Sequence, residues 1–223
     1  MHSRDLIEQY KTYVQDWRRY FHKHPELSNE EFETTKTLAK ELESMGVEVH
    51  VDTERGTGLI GIIHGAKPGK AIALRADIDA LPVQEHNTFD FKSDVDGKMH
   101  ACGHDGHMAI LLGAAKMLTA MKDRIEGDVY LAFQPAEETG AGAPDFMKFD
   151  NWFEKIDAIF GGHVWIDLPA GLISVEEGPR MAASSKITIN VKGKQGHGAQ
   201  PHQAIDAVVV ASAIVMNLQT VVS

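Results

Sequence analysis

What most constrains the fold of this chain is the alternation of short apolar, β-branched runs with helical patterns. Residues 47–51 alternate, residues 59–64, 71–74, 128–133 and 158–160 are apolar runs of strand length, and Ala66-Lys67-Pro68-Gly69 reads as a turn. The helical spacing of Leu6, Tyr10, Tyr13, Val14, Trp17, Tyr20 and Phe21 predicts a helix over 5–24 that stops at Pro25. Ser28-Asn29-Glu30-Glu31 reads as a capping box for a second helix that ends at Gly46. A third helix is expected over 107–122, and Phe146, Phe149, Trp152 and Phe153 form an amphipathic stretch. Strands that alternate with helices predict an α/β fold, a mixed sheet flanked by helices.

Reactive side chains fall just after the strands: Asp77 after 71–74, Glu137 and Glu138 after 128–133, His163 after 158–160. Ligand sites in open α/β sheets lie outside the carboxyl ends of the strands, so these residues are expected to converge on one site. Between them lies Met99-His100-Ala101-Cys102-Gly103-His104-Asp105-Gly106-His107, which packs three His, one Asp and the only Cys of the chain into nine residues. A lone buried Cys or His is ordinarily a satisfied core residue. A thiol and several imidazoles in one short loop ahead of a helix are instead the donors that divalent transition metals prefer. Consecutive residues of an extended segment face opposite ways, so Glu137 and Glu138 can divide labour, one binding metal and the other handling protons.

Composition narrows the classes of function. A net charge of −10 over 223 residues, with no basic cluster, argues against nucleic acid and other polyanions as partners. A single Cys forms no internal disulfide, which suits a reducing compartment. The N-terminus lacks the basic start and apolar run of a signal peptide, and no apolar stretch reaches membrane-spanning length, so a cytoplasmic protein that does not engage membranes is expected. Near Gly178-Pro179-Arg180 the pattern breaks. A catalytic metal-binding domain over 1–180 is expected, followed over 181–223 by the start of a second domain with an alternating strand at 186–191 and a helix at 204–219.

Several motifs in order carry a family resemblance: Arg18-Arg19-x-x-His22-x-His24-Pro25-Glu26-Leu27-Ser28, Leu74-Arg75-Ala76-Asp77-Ile78-Asp79-Ala80-Leu81-Pro82, Met99 through His107, Pro135-Ala136-Glu137-Glu138, and Gly196-His197-Gly198-Ala199-x-Pro201-His202. From about Arg18 to its last residue the chain resembles the metal-dependent amidohydrolase branch of the aminoacylase/carboxypeptidase-G metallopeptidase family. That branch holds hippurate hydrolases, N-acyl-L-amino-acid amidohydrolases, auxin-conjugate hydrolases and N-acetyldiaminopimelate deacetylases. The resemblance implies a zinc-peptidase-like catalytic domain joined to a ferredoxin-like α+β lid that also dimerises. It implies two divalent ions (Mn, Zn, Co or Ni) held by Cys102, His104, Glu138 and His163, with Cys102 bridging. Glu137 would be the general base that takes the proton of the attacking water, the substrate a small N-acyl amino acid, and His197 the group that stabilises the oxyanion, often in the partner subunit's site. Asp77 and Asp105 would orient the ligands from behind, and His22 and His24 would serve structure, with His86 and His202 unassigned.

In the peptidase branch the position of Arg75 is a metal-binding His and the bridging group is a carboxylate. Arg cannot ligate a metal, so Arg75 and Cys102 argue against a dipeptidase or carboxypeptidase. Family members are usually much longer, and the returning part of their catalytic domain supplies a final His ligand. A C-terminally truncated chain is therefore expected, with poor or no activity of its own and with the helix positions Ala207, Val208, Ala211, Ile214, Val215 and Leu218 exposed or seeking a partner. A non-catalytic metal-binding fragment is the remaining alternative.

Overall fold

The computed structural model describes residues 3–183 and 186–221. The chain divides into two units, Met1–Val175 and Glu176–Ser223. The division thus falls slightly ahead of the expected boundary at 180/181, in a stretch where Glu176 pairs locally with Arg180 at 2.5 Å.

The first unit is built on a five-stranded mixed sheet of β1 (Glu48–Val51), β2 (Leu59–His64), β3 (Ile72–Asp77), β4 (Asp128–Gln134) and β5 (Ala158–Gly161), in the order β1-β2-β4-β3-β5. The pairs β1–β2 and β2–β4 are antiparallel, whereas β4–β3 and β3–β5 are parallel. Because β3, β4 and β5 run the same way, their carboxyl ends share one edge of the sheet. That edge carries the reactive residues.

Both faces of the central strands are covered, which is why β2 and β4 read as nearly unbroken apolar runs. Leu59 and Ile63 of β2, with Val129, Leu131 and Phe133 of β4, pack on one face against Phe21 of α1 (Ser3–Lys23), Leu38 and Leu42 of α2 (Phe32–Ser44) and Met108, Leu111 and Leu112 of α3 (His104–Ala120). Their alternates Ile60, Ile62, Tyr130 and Ala132 face Phe146 of the short α4 (Gly142–Phe146) and Trp152. The period of two along each strand assigns every side chain to a layer. Leu112→Ala would open a cavity in the fully enclosed first layer and cost about 2–5 kcal/mol of stability. Chemical denaturation checks this.

Two local expectations are corrected. The capping box does not form: α2 starts at Phe32 with no side-chain cap from its own N-cap residue. Ser28 Oγ donates instead to Asp79 Oδ2 at 2.6 Å. The carboxylate of Glu26 accepts the N–H groups of Glu33 and Thr34 at 3.2 and 2.7 Å. A carboxylate that takes two N–H groups at a helix N-terminus outweighs a single hydroxyl. The third helix starts at His104, three residues before the expected 107, because Gly103 adopts φ +90° and turns the loop directly into the helix.

In the second unit, residues 186–191 form no strand, for among the described residues nothing pairs with them, and a lone extended segment gains no ladder hydrogen bonds. The ferredoxin-like lid is accordingly not seen there. The unit instead holds α5 (Ala207–Leu218), shorter than the expected 204–219 because Asp206 caps it by accepting the N–H groups of Val208 and Val209. Val208, Val215 and Leu218 of that helix are exposed. No helix among the described residues is long and apolar enough to cross a membrane.

Candidate metal centre

Each histidine of the site has its tautomer set by what its other ring nitrogen meets. His104 opens α3, and its Nδ1–H donates to the carbonyl oxygen of Asp79 at 2.8 Å, since that oxygen can only accept. This leaves Nε2 of His104 with a lone pair and no hydrogen-bond partner, although the residue is fully buried. His163 follows β5, and its Nδ1–H donates to the Val164 carbonyl at 2.6 Å while Nε2 lies 3.4 Å from Cys102 Sγ. Glu138 Oε1 is likewise buried without a partner and sits 3.8 Å from His104 Nε2, and Glu137 Oε2 is 4.0 Å from the same nitrogen.

Donor atoms of Cys102, His104 and His163 lie within 4.8 Å of one another, as do those of His104, Glu137 and Glu138. The structure therefore brings Cys102, His104, Glu138 and His163 together, with Glu137 beside them. Buried polar atoms normally have partners, so the two orphans His104 Nε2 and Glu138 Oε1 are the observation that a metal fits. A mixed set of imidazole, carboxylate and thiol suits Zn, Mn, Co or Ni.

The electrostatics favour a cation. Burial, and then the neighbouring Glu138, push the Cys102 thiol up to about 12, so without metal it keeps its proton. Burial disfavours a charged His104, but the hydrogen bond to Asp79 and the charges of Asp77, Asp79 and Glu138 outweigh it and raise its proton affinity. Burial would also raise Asp77, yet the His107 hydrogen bond and the charges of His104 and Arg75 hold that carboxyl well below its usual range.

Two supporting residues escaped the sequence reading. His107 stacks beside His104, donates from Nδ1 to Asp77, and accepts the Val164 N–H on Nε2 at 2.9 Å. It thereby fixes the backbone next to His163. Asp79 holds both the ring of His104 and the N–H of Glu138, the latter at 3.0 Å. The signal for each was present: His107 is three residues beyond His104 on a helix, and Asp79 is two beyond Asp77 on an extended segment, so each shares its neighbour's face.

Asp77 lies where it can orient ligands, against His107, His104 and Arg75. Asp105 does not. One residue along the helix from His104, it is rotated by about 100° and faces α1, where its carboxylate meets His22 Nδ1 at 2.7 Å and Arg18 Nε at 2.9 Å. Nε2 of His22 meets Glu85 Oε1 at 3.1 Å. His24 contacts the Tyr20 carbonyl at 2.7 Å, and His86 and His202 are exposed. His197 belongs to the second unit, where it is exposed and accepts the Ala199 N–H on Nδ1.

The His22 bridge carries a pH prediction. Burial lowers the proton affinity of His22, but Asp105 and Glu85 more than restore it, so its folded pKa lies above the ordinary value. A raised histidine contributes stability that is complete below its unfolded pKa of about 6.5 and is lost as pH rises through the higher folded value. The melting temperature should fall above about pH 7, and His22→Gln should flatten that fall. An unchanged profile in the variant would remove His22 as its source.

Comparison with known proteins gives this geometry its context. A profile of peptidase family M20/M25/M40 matches residues 73–221. The chain is 44% identical over 220 residues to an N-acyl-L-amino acid amidohydrolase of Geobacillus stearothermophilus, covering 98% of this chain and 59% of that protein. It is 45% identical over 215 residues to thermostable carboxypeptidase 1 of Saccharolobus solfataricus, covering 93% of this chain and 55% of that protein. A solved structure from Bacillus subtilis, described as a dinuclear metal binding peptidase from the M20 family, superposes with a TM-score of 0.73 at 45% identity, covering 77% of this chain and 48% of that one. The chain thus spans about half to three fifths of the length of these proteins. With the profile matched over more than half its residues, the chain belongs to peptidase family M20/M25/M40.

Proposed function

We propose that the protein is a metal-dependent amidohydrolase that cleaves the amide bond of N-acyl amino acids, with Glu137 as general base. The observation that carries this reading is the convergence of Cys102, His104, Glu138 and His163 around unpartnered donor atoms, with a second carboxylate beside them. Two divalent ions held by those four residues would polarise the scissile carbonyl and acidify water at neutral pH. Glu138 suits the ligand role because its backbone is tied to Asp79 and its Oε1 is buried. Glu137 suits the proton-carrying role because its side chain is more exposed, 39% against 21%, and can exchange protons with solvent. It takes a proton from the attacking water and delivers it to the leaving amine. Asp77 orients the ligand cluster through His107. Assignment of His197 to the oxyanion, a homodimer through the second unit, and a cytoplasmic setting are further parts of the reading.

The 45% identity to a carboxypeptidase supports a second reading, hydrolysis of free peptides. Arg75 favours the first, for its guanidinium pairs with Asp77 at 2.7 Å and its Nε with Gln134 at 2.9 Å, where a peptidase-branch residue would ligate metal. A panel of hippurate, N-acetyl amino acids and free dipeptides, run with Mn, Zn, Co and Ni in turn, separates the two. Preferential hydrolysis of the acylated substrates is expected, whereas preference for dipeptides would establish the second reading.

A further inference from the structure

We propose that Glu31 is a positioning residue for the Glu137–Glu138 pair, its buried carboxylate holding the N–H of Ala136 so that the turn after β4 points both carboxylates at His104. The inference rests on the site reading given above and adds a residue from outside the site's own segments.

Glu31 precedes α2 and is fully buried, an uncommon place for a carboxylate. Its Oε1 accepts the Ala136 N–H at 2.8 Å, across 105 positions of sequence. Its Oε2 is buried without a hydrogen-bond partner among the described residues. A buried carboxylate with one oxygen unsatisfied is costly in stability. Packing alone would be served better by Leu or Met of similar volume.

The partner on the other side is strained. Ala136 is not glycine, yet it lies at φ +53°, ψ +40°, a left-handed conformation that crowds a residue carrying a Cβ. That inversion ends the extended run of β4 and sends the chain directly into the turn Glu137–Thr139. Other contacts close around the same residue: its carbonyl accepts Thr139 Oγ1 at 2.9 Å and the Gly142 N–H at 3.2 Å. At Gly142 a Cβ would lie 2.0 Å from the Pro135 carbonyl oxygen, so the returning chain is pressed against the turn.

The segment before α2 thus grips the turn twice. Glu31 takes the N–H of Ala136 directly, and Ser28 supports Asp79, whose other contact on the same oxygen is the N–H of Glu138. Alternate backbone amides of the strained turn are each held by a buried carboxylate. The result is that Glu137 Oε2 and Glu138 Oε1 stand 4.0 and 3.8 Å from His104 Nε2.

The test uses the 223-residue chain with Co²⁺ alone as probe, together with residue-resolved amide hydrogen exchange. Glu31→Met, which keeps volume and removes the acceptor, should lower the protection of both Ala136 and Glu138 amides and weaken Co²⁺ binding by about 10–100-fold, the range for residues that orient ligands. Glu31→Gln, which keeps a carbonyl acceptor, should retain protection and affinity. Glu31→Asp, too short to reach, serves if the Met variant does not fold, and should lose protection in the same two amides.

Glu31→Met with Glu138 protected and Co²⁺ affinity within about twofold of wild type would overturn the inference, as would a Gln variant as impaired as the Met variant. A wild-type chain that binds no Co²⁺ would sink the metal reading instead, and the exchange of Ala136 and Glu138 would still decide the role of Glu31.

Discussion

Glu137→Gln should lower hydrolysis of N-acyl amino acids by about 10²–10⁴-fold in the protein that carries this chain, the usual contribution of a positioned general base. Metal content should not change. Gln keeps the shape of the side chain but cannot accept the proton of the attacking water. Glu138→Gln should do the reverse, weakening metal binding first, since Glu138 Oε1 is the buried orphan beside His104. Turnover measured at saturating metal, alongside metal content by mass spectrometry, reads both effects. If the two phenotypes are exchanged, so are the base and the ligand, and a loss in kcat far below a hundredfold removes Glu137 from proton transfer.

Cys102→Ser should weaken metal binding by more than the ~10–100-fold typical of residues that only orient ligands. The sign of the accompanying pH effect follows from the thiol. Burial and Glu138 push Cys102 up to about 12, so at any pH below that value the metal-free site holds a protonated thiol. A metal that binds sulfur must expel this proton, and affinity should climb about tenfold per pH unit across neutrality from this group alone. The slope should be shallower by about one in Cys102→Ser. Alkylation of metal-free protein should be slow at pH 7 compared with a free cysteine and should accelerate with pH, whereas bound metal should suppress it. Equal alkylation with and without metal would place Cys102 outside the centre.

The sheet was legible because its signal is local. Runs such as Leu59–His64 and Asp128–Gln134 are buried on both faces, and their apolar composition states as much. Convergence of Asp77, the Glu137–Glu138 turn and His163 was also legible, because parallel strands must deliver their carboxyl ends to one edge. Capping and support were not. Ser28 had a good local partner in Glu31, yet both side chains are taken by residues remote in sequence, Asp79 and Ala136. Nothing in a window of a few residues reports such competition. Asp105 is placed by a related effect: one helical step beyond His104 turns its carboxylate toward His22 and Arg18. The alternating pattern at 186–191 satisfied the rule for a strand, but a strand needs a neighbour, and the described residues supply none.

If one cluster of side chains at the ends of β3, β4 and β5 holds the metals, anomalous diffraction from crystals grown with Mn²⁺ or Zn²⁺ will locate them there. Two adjacent peaks among Cys102, His104, Glu138 and His163 are expected. Peaks located elsewhere, for instance on the surface histidines His50 and His64 beside Glu48, with the Cys102 cluster bare, would contradict this placement.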